Sequence, residues 1–195
     1  MSEDAAQSSD PQGILRRVRT TRRRRRPPLT VDELVGWATR LPDAEVRVAS
    51  GRRADIPAIV SLIAARKPSV PPVPLKFDRT PERLAATWSR VHWLLARGRG
   101  GDLLGCIELR PVDAEDGVWE IGSFSQAATN RNPRVPVKLW VAAFRKLRDL
   151  QARAAVVEIH ARNESMWAFL APLAFEPDAR PSSHPDFVRY RLALS

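Results

Sequence analysis

The chain has 195 residues, 44% hydrophobic and 28% charged; that length suits one ordinary domain with a tail, and the balance excludes a disordered, collagenous or membrane-embedded chain. Its longest nearly unbroken apolar stretch, Ala168 to Phe175, falls far short of the roughly 20 residues a bilayer span needs, so no membrane association is expected. No apolar segment follows the N-terminal arginines, so secretory and twin-arginine export are not expected either. The single cysteine, Cys106, excludes an internal disulfide and a cysteine-rich zinc site, and a cytoplasmic location is expected.

Thirty-two basic residues against 22 acidic ones give a net charge of +10. Eight arginines, Arg16, Arg17, Arg19, Arg22, Arg23, Arg24, Arg25 and Arg26, face only Glu3, Asp4 and Asp10 before Leu29, so half of that charge sits in the first 29 residues. Those residues lack hydrophobic periodicity and end in Pro27-Pro28, and they are expected to form a disordered basic arm. The partner expected for it is nucleic acid, bound through phosphates with little sequence preference, or alternatively an acidic protein.

Residues 30–44 are expected to form an accessory helix capped by Thr30, with Leu34, Val35, Trp37 and Ala38 on it. A domain over 45–195 follows. Val46 and Val48 alternate with Arg47 as a strand, and Ile56, Ile59, Val60 and Ile63 form one face of a helix opened by Asp55-Ile56-Pro57. Prolines from Pro68 to Pro74 dictate an extended loop. Thr80-Pro81 starts a second helix containing Leu84, Ala85 and Trp88. Three strands are then expected, 92–97, 102–111 and 118–126, joined through Gly98-Arg99-Gly100-Gly101 and a turn ending at Gly117. The spacing of Val137, Trp140, Val141, Phe144 and Leu147 predicts a long helix over 135–151, with Lys138, Arg145, Arg148 and Asp149 toward water. A strand over 155–161, a helix over 164–173 and a strand over 187–194 close the chain.

This order, with Arg47-Val48-Ala49, Arg53-Ala54-Asp55-Ile56, Leu103-Leu104-Gly105-Cys106-Ile107, Glu120-Ile121-Gly122-Ser123-Phe124 and the pair Asn163 and Phe175, resembles the GNAT N-acetyltransferase superfamily. The resemblance implies an α/β (α+β) fold with a mixed, mostly antiparallel sheet flanked by helices and parted in the middle for acetyl-CoA or another acyl-CoA. It implies direct acyl transfer to an amine, and cofactor contacts from Ser125, Gln126, Arg131, Arg134, Lys138 and Asn163. The family's glycine-rich pyrophosphate loop aligns with Arg131-Asn132-Pro133-Arg134-Val135-Pro136, where arginine and proline replace both glycines. Cationic side chains are therefore expected to stand in for backbone amides. The tyrosine that often protonates the thiolate aligns with Leu170, and the sole tyrosine, Tyr190, lies in the last strand.

The residues leave alternatives open. Glu120 is a candidate general base on the strand bordering the acceptor groove, or a polar residue on an outer strand face. His160 at a strand end suits proton transfer, with an ordinary pKa of about 6.5, or is simply solvated. Asn163 either contacts the cofactor or caps the helix at Glu164. Arg131, Arg134 and Lys138 either bind phosphate or form a solvated basic patch. The six tryptophans are dispersed and read as packing residues. His92, His160, His184 and Cys106 have no metal-ligand spacing, and no P-loop, dinucleotide fingerprint or nucleophile elbow occurs. An acyl-CoA-dependent N-acyltransferase and a non-catalytic binding module of the same fold are the two readings the sequence supports.

Overall fold

The computed structural model describes residues 29–39, 45–66, 76, 79–113 and 116–194. The arginine run from Arg16 to Arg26 and the proline-rich segment 68–74 lie outside these residues. Leu29, the last residue of the expected arm, donates its amide to Pro172 O at 2.6 Å and bridges Leu173 in parallel. Val31–Thr39 forms helix α1. Thr30 and Glu33 cap it reciprocally: Thr30 Oγ1 accepts the Glu33 amide at 3.1 Å, and Glu33 Oε2 accepts the Thr30 amide at 2.8 Å.

Seven strands make one sheet: β1 (Val46–Ser50), β2 (His92–Gly98), β3 (Leu103–Asp113), β4 (Val118–Gln126), β5 (Ala154–His160), β6 (Glu176–Pro177) and β7 (Phe187–Ala193), ordered β1-β2-β3-β4-β5-β7-β6. All neighbours are antiparallel except β4 and β5. That parallel pair requires a crossover, which helix α4 (Arg134–Asp149) provides. Helices α2 (Ile56–Ala64) and α3 (Pro81–Thr87) precede the meander, and α5 (Glu164–Leu170) follows β5. Thr80 caps α3, its Oγ1 accepting the Arg83 amide at 3.3 Å. Gly101 and Gly117 supply the positive φ of the two turns. Among the described residues no helix is long and apolar enough to cross a membrane.

Strand alternation sends alternate residues to two cores. On one face Leu94, Ile107, Leu109, Ile121, Ala155 and Val157 pack with α4 and with Leu34 of α1. On the other, Trp93, Leu95 and Cys106 pack with Ile56, Ile59, Leu62, Ile63 and Leu84 of α2 and α3. The long helix carries one correction. Lys138, expected to face water, is buried, and its Nζ donates to Val46 O at 3.0 Å. The aliphatic stem packs beneath the sheet while the ammonium reaches a carbonyl of the edge strand β1.

Gly105 lets α4 approach this closely. A Cβ there would lie 3.0 Å from Leu139 Cδ1, Ser125 O and Val135 Cγ1. Gly105→Ala should therefore destabilise the fold by about 1–3 kcal/mol, read from the urea midpoint, because backbone and two packed side chains must yield together. An unchanged midpoint would mean that α4 is not held against β3 in this way.

Candidate active site

The site begins with a defect in the sheet. Cys106 pairs with Ser125 and Glu108 with Gly122, so two residues of β3 span three of β4, and Ser123 takes a left-handed φ of 48°. This is a β-bulge, which bends the strand that carries it. On the other side of β4 the parallel ladder with β5 covers only Val118↔Ala154, Trp119↔Ala155 and Glu120↔Val156. Beyond Glu120, β4 runs on to Gln126 while β5 stays paired with β7 as far as His160↔Phe187. On the α4 face of this parting, Phe124 stacks on Phe169 with ring centroids 6.5 Å apart, beside Trp140.

The opposite face carries an ion-pair chain. Arg79 Nη2 donates to Glu108 Oε2 at 2.7 Å and also to Ser123 Oγ, which itself donates to Glu108 Oε2 at 2.6 Å. This trio pins the bulge. Next along, Arg110 Nε and Nη2 donate to Glu120 Oε2 at 3.1 and 2.6 Å. Lys76 Nζ lies 3.6 Å from Glu120 Oε1 and hydrogen-bonds Glu158 Oε2. Ser182 Oγ donates to the same oxygen at 2.6 Å, Arg189 Nη1 to Glu158 Oε1 at 3.3 Å, and Arg189 Nε to Asp178 Oδ2 at 2.7 Å. The Glu158 side chain is 1% exposed. Burial opposes its charge, but hydrogen bonds from Lys76 and Ser182 with the charges of Lys76 and Arg189 prevail and hold its pKa below the ordinary value.

Glu120, proposed from sequence as a base, is thus buried in the sheet with one oxygen taken by Arg110 and the other turned toward Lys76. A Cβ on Gly122 would stand 3.5 Å from that second oxygen, so the bare glycine leaves room beside it. His160 is buried rather than solvated. Its Nδ1 accepts the Arg162 amide at 3.1 Å, and burial, aided by the positive charge of Arg162, lowers its pKa. Its proton therefore sits on Nε2 in the neutral ring. Asn163 caps α5, with Oδ1 accepting the Met166 amide at 3.2 Å. Gln126 Oε1 accepts from Asn130 Nδ2 at 3.2 Å, and Ser125 Oγ is buried with no hydrogen-bond partner among the described residues.

At the start of α4 the sequence has used up its own amides. Pro133 and Pro136 have none. The Arg134 amide donates to Asn132 Oδ1 at 2.9 Å and that of Val135 to Asn132 O at 3.3 Å, while the Asn132 amide donates to Asn130 Oδ1 at 3.0 Å. Arg134 Nη1 lies 3.8 Å from Glu45, and Arg131 Nη1 donates to Ala128 O at 3.0 Å. Lys138 points elsewhere, so the expected cluster of three cations reduces to two arginines. Among the described residues, β4 beyond Glu120 has no ladder partner on its β5 side and Ser125 Oγ has no hydrogen-bond partner, and a phosphate at the helix start would meet arginine side chains instead of amides.

Sequence reasoning missed Lys76, Arg79, Glu108, Arg110, Glu158 and Arg189. The signal was present as period-two spacing, Cys106-x-Glu108-x-Arg110 and Val156-x-Glu158-x-His160, but it identifies a shared face only once the strand order is known.

No protein-family model matches the chain, and no curated protein matches it in sequence. Solved structures do. The PaiA N-acetyltransferase of Thermoplasma acidophilum, solved with coenzyme A, superposes with a TM-score of 0.62 at 12% identity, covering 76% of this chain and 99% of that one. A variant of the spermidine N-acetyltransferase SpeG from Vibrio cholerae superposes with a TM-score of 0.60 at 11% identity, covering 76% and 94%. The chain has the fold of the GNAT N-acetyltransferases, a mixed, mostly antiparallel sheet flanked by helices.

The ion-pair chain sets a pH dependence. Glu158 and Asp178 both have pKa values lowered from their ordinary 4.5 and 3.8. A carboxylate with a depressed folded pKa contributes stability that is present above its unfolded pKa and is lost as pH falls through the folded one. The melting temperature should hold near neutral pH and drop steeply below about pH 4, with a shallower acid slope in Glu158→Gln. Equal slopes for the two proteins would show that this carboxylate does not couple folding to protons.

Proposed function

We propose that the protein is an acyl-CoA-dependent N-acyltransferase. One observation carries the reading: β4 is bulged at Ser123 and loses its parallel partner immediately after Glu120, leaving a strand edge that no described strand pairs beside a buried carboxylate. Coenzyme A would supply an activated acyl thioester. The chain's own contributions are distinct. The free edge of β4 binds an extended amide-bearing arm as a neighbouring strand would, Ser125 Oγ adds a polar contact, and Arg131 and Arg134 attract the phosphates. Glu120, through the oxygen that Arg110 does not hold, takes the proton from the acceptor amine. Confinement of both reactants between β4 and β5 supplies the orientation on which direct transfer depends. His160, neutral and with its Nδ1 lone pair occupied by the Arg162 amide, is poorly placed to act as base and offers Nε2–H as a hydrogen-bond donor only.

The internally satisfied start of α4 favours a second reading, a module of this fold that does not take coenzyme A. Calorimetry with acetyl-CoA separates the two. The transferase should bind, and Arg134→Glu should weaken affinity at least tenfold; absence of binding would leave the module. With an amine acceptor in hand, Glu120→Gln should lower turnover by about 100-fold or more, within the usual range for a general base, and unchanged turnover would remove Glu120 from that role.

The eight arginines from Arg16 to Arg26, which leave residues 1–29 at +5, support an acceptor carried on or near nucleic acid, because such a segment concentrates polyanions around it. Removing residues 1–28, which keeps the Leu29 bridge to Leu173, should reduce DNA or RNA affinity and flatten its dependence on salt. Binding that is unaltered in both respects would dissociate the arm from nucleic acid.

A further inference from the structure

We propose that Lys76 is itself an acyl acceptor of this site, so that the protein acylates its own chain there. The proposal rests on the transferase reading above. A primary amine is the nucleophile that N-acyl transfer consumes, and Lys76 places one between the two strands that part. Its Nζ is 3.6 Å from Glu120 Oε1 on β4 and hydrogen-bonded to Glu158 Oε2 on β5. Glu120 is the last β4 residue in the parallel ladder, and Glu158 lies two residues beyond its last β5 partner, Val156. The amine therefore bridges the mouth of the parting on the face away from α4. Gly122, with no side chain, keeps the neighbouring position on β4 clear. The Lys76 side chain is only 10% exposed, so the amine already lies at the sheet and does not need to be recruited from solvent.

The step balances without any oxidant or reductant. The ammonium first gives one proton to Glu120 Oε1. The Nζ lone pair then forms a C–N bond to the thioester carbonyl of acyl-CoA, the C–S bond breaks, and its electron pair leaves on sulfur. A second proton leaves nitrogen and neutralises the thiolate. The products are Nε-acyl-lysine, the coenzyme A thiol and the first proton, which passes to solvent. Acylation removes the cation that Glu120 and Glu158 share, so the two carboxylates then face each other across the strands with Arg110 and Arg189 as their remaining basic partners among the contacts described above.

The chain has four lysines, Lys67, Lys76, Lys138 and Lys146, which makes the test simple to read. The full chain is incubated with acetyl-CoA, folded and in denaturant, and the extent of acetylation at each lysine is followed by peptide mass spectrometry. A lysine buried only for structural reasons is protected by folding. An acceptor is labelled faster when folded. We expect Lys76 to be acetylated at least tenfold faster in the folded chain than in the unfolded one. Glu120→Gln should slow that labelling at least tenfold while acetyl-CoA affinity by calorimetry stays within threefold. Lys76→Arg, which keeps a cation for both carboxylates, should lose the label. The folded-against-unfolded comparison needs no variant, so a substitution that fails to fold does not decide the matter. Protection of Lys76 in a chain that binds acetyl-CoA overturns this proposal and leaves the transferase reading standing. Failure to bind acetyl-CoA overturns both.

Discussion

Ser123 occupies a left-handed backbone conformation that costs a non-glycine residue about 1–3 kcal/mol, and the site depends on that conformation being held. The restraint is a buried ion pair: Glu108 and Arg79 both hydrogen-bond the Ser123 hydroxyl and each other. An unpaired carboxylate on a strand face under α2 and α3 would be strongly destabilising, so the pair and the bulge stabilise one another. The bend then has a consequence across the strand. Where β4 turns away, β5 continues with β7, and the parallel ladder ends at Glu120.

The same face explains the electrostatics. Glu108, Glu120 and Glu158 come from three adjacent strands, and each is matched by a cation: Arg79, Arg110 with Lys76, and Lys76 with Arg189. Charges this deep persist only when paired and hydrogen-bonded. The face is thus charged, closely compensated and ordered before any ligand arrives. Under the proposed transferase reading, an incoming amine would meet carboxylates whose positions are already set, and would have to compete with the lysine between them. Preorganisation and self-occupancy arise from the same contacts.

The entrance to α4 follows a different logic from the rest of the site. A helix N-terminus ordinarily leaves several amides for an anion. Two prolines and the side chains of Asn130 and Asn132 satisfy or remove them here. The helix start satisfies its own amides, so under the proposed transferase reading attraction for phosphate would pass to Arg131 and Arg134, side-chain cations subject to salt screening. Lys138 cannot join them, because the closeness of α4 to the sheet that Gly105 permits draws its ammonium onto Val46 O.

Much of the architecture was legible in the chain itself. Helix caps at Thr30 and Thr80, glycine turns at Gly101 and Gly117, the apolar stripe of α4, the alternation of β1 and the apolar runs of β2 and β5 are local patterns, fixed by backbone sterics and hydrophobic periodicity. They sufficed to order the elements; Glu120 was a candidate from its strand position, while Ser125, Gln126, Arg131, Arg134, Lys138 and Asn163 were candidates only through the resemblance to the GNAT superfamily. Tertiary structure alone decided which charges meet. Residues 76, 79, 108, 110, 120, 158 and 189 converge because β4 lies beside β5 and β5 beside β7, and because a single extra residue at Ser123 shifts the register. Burial and ion pairing of that kind are properties of strand order, which no short-range sequence pattern encodes.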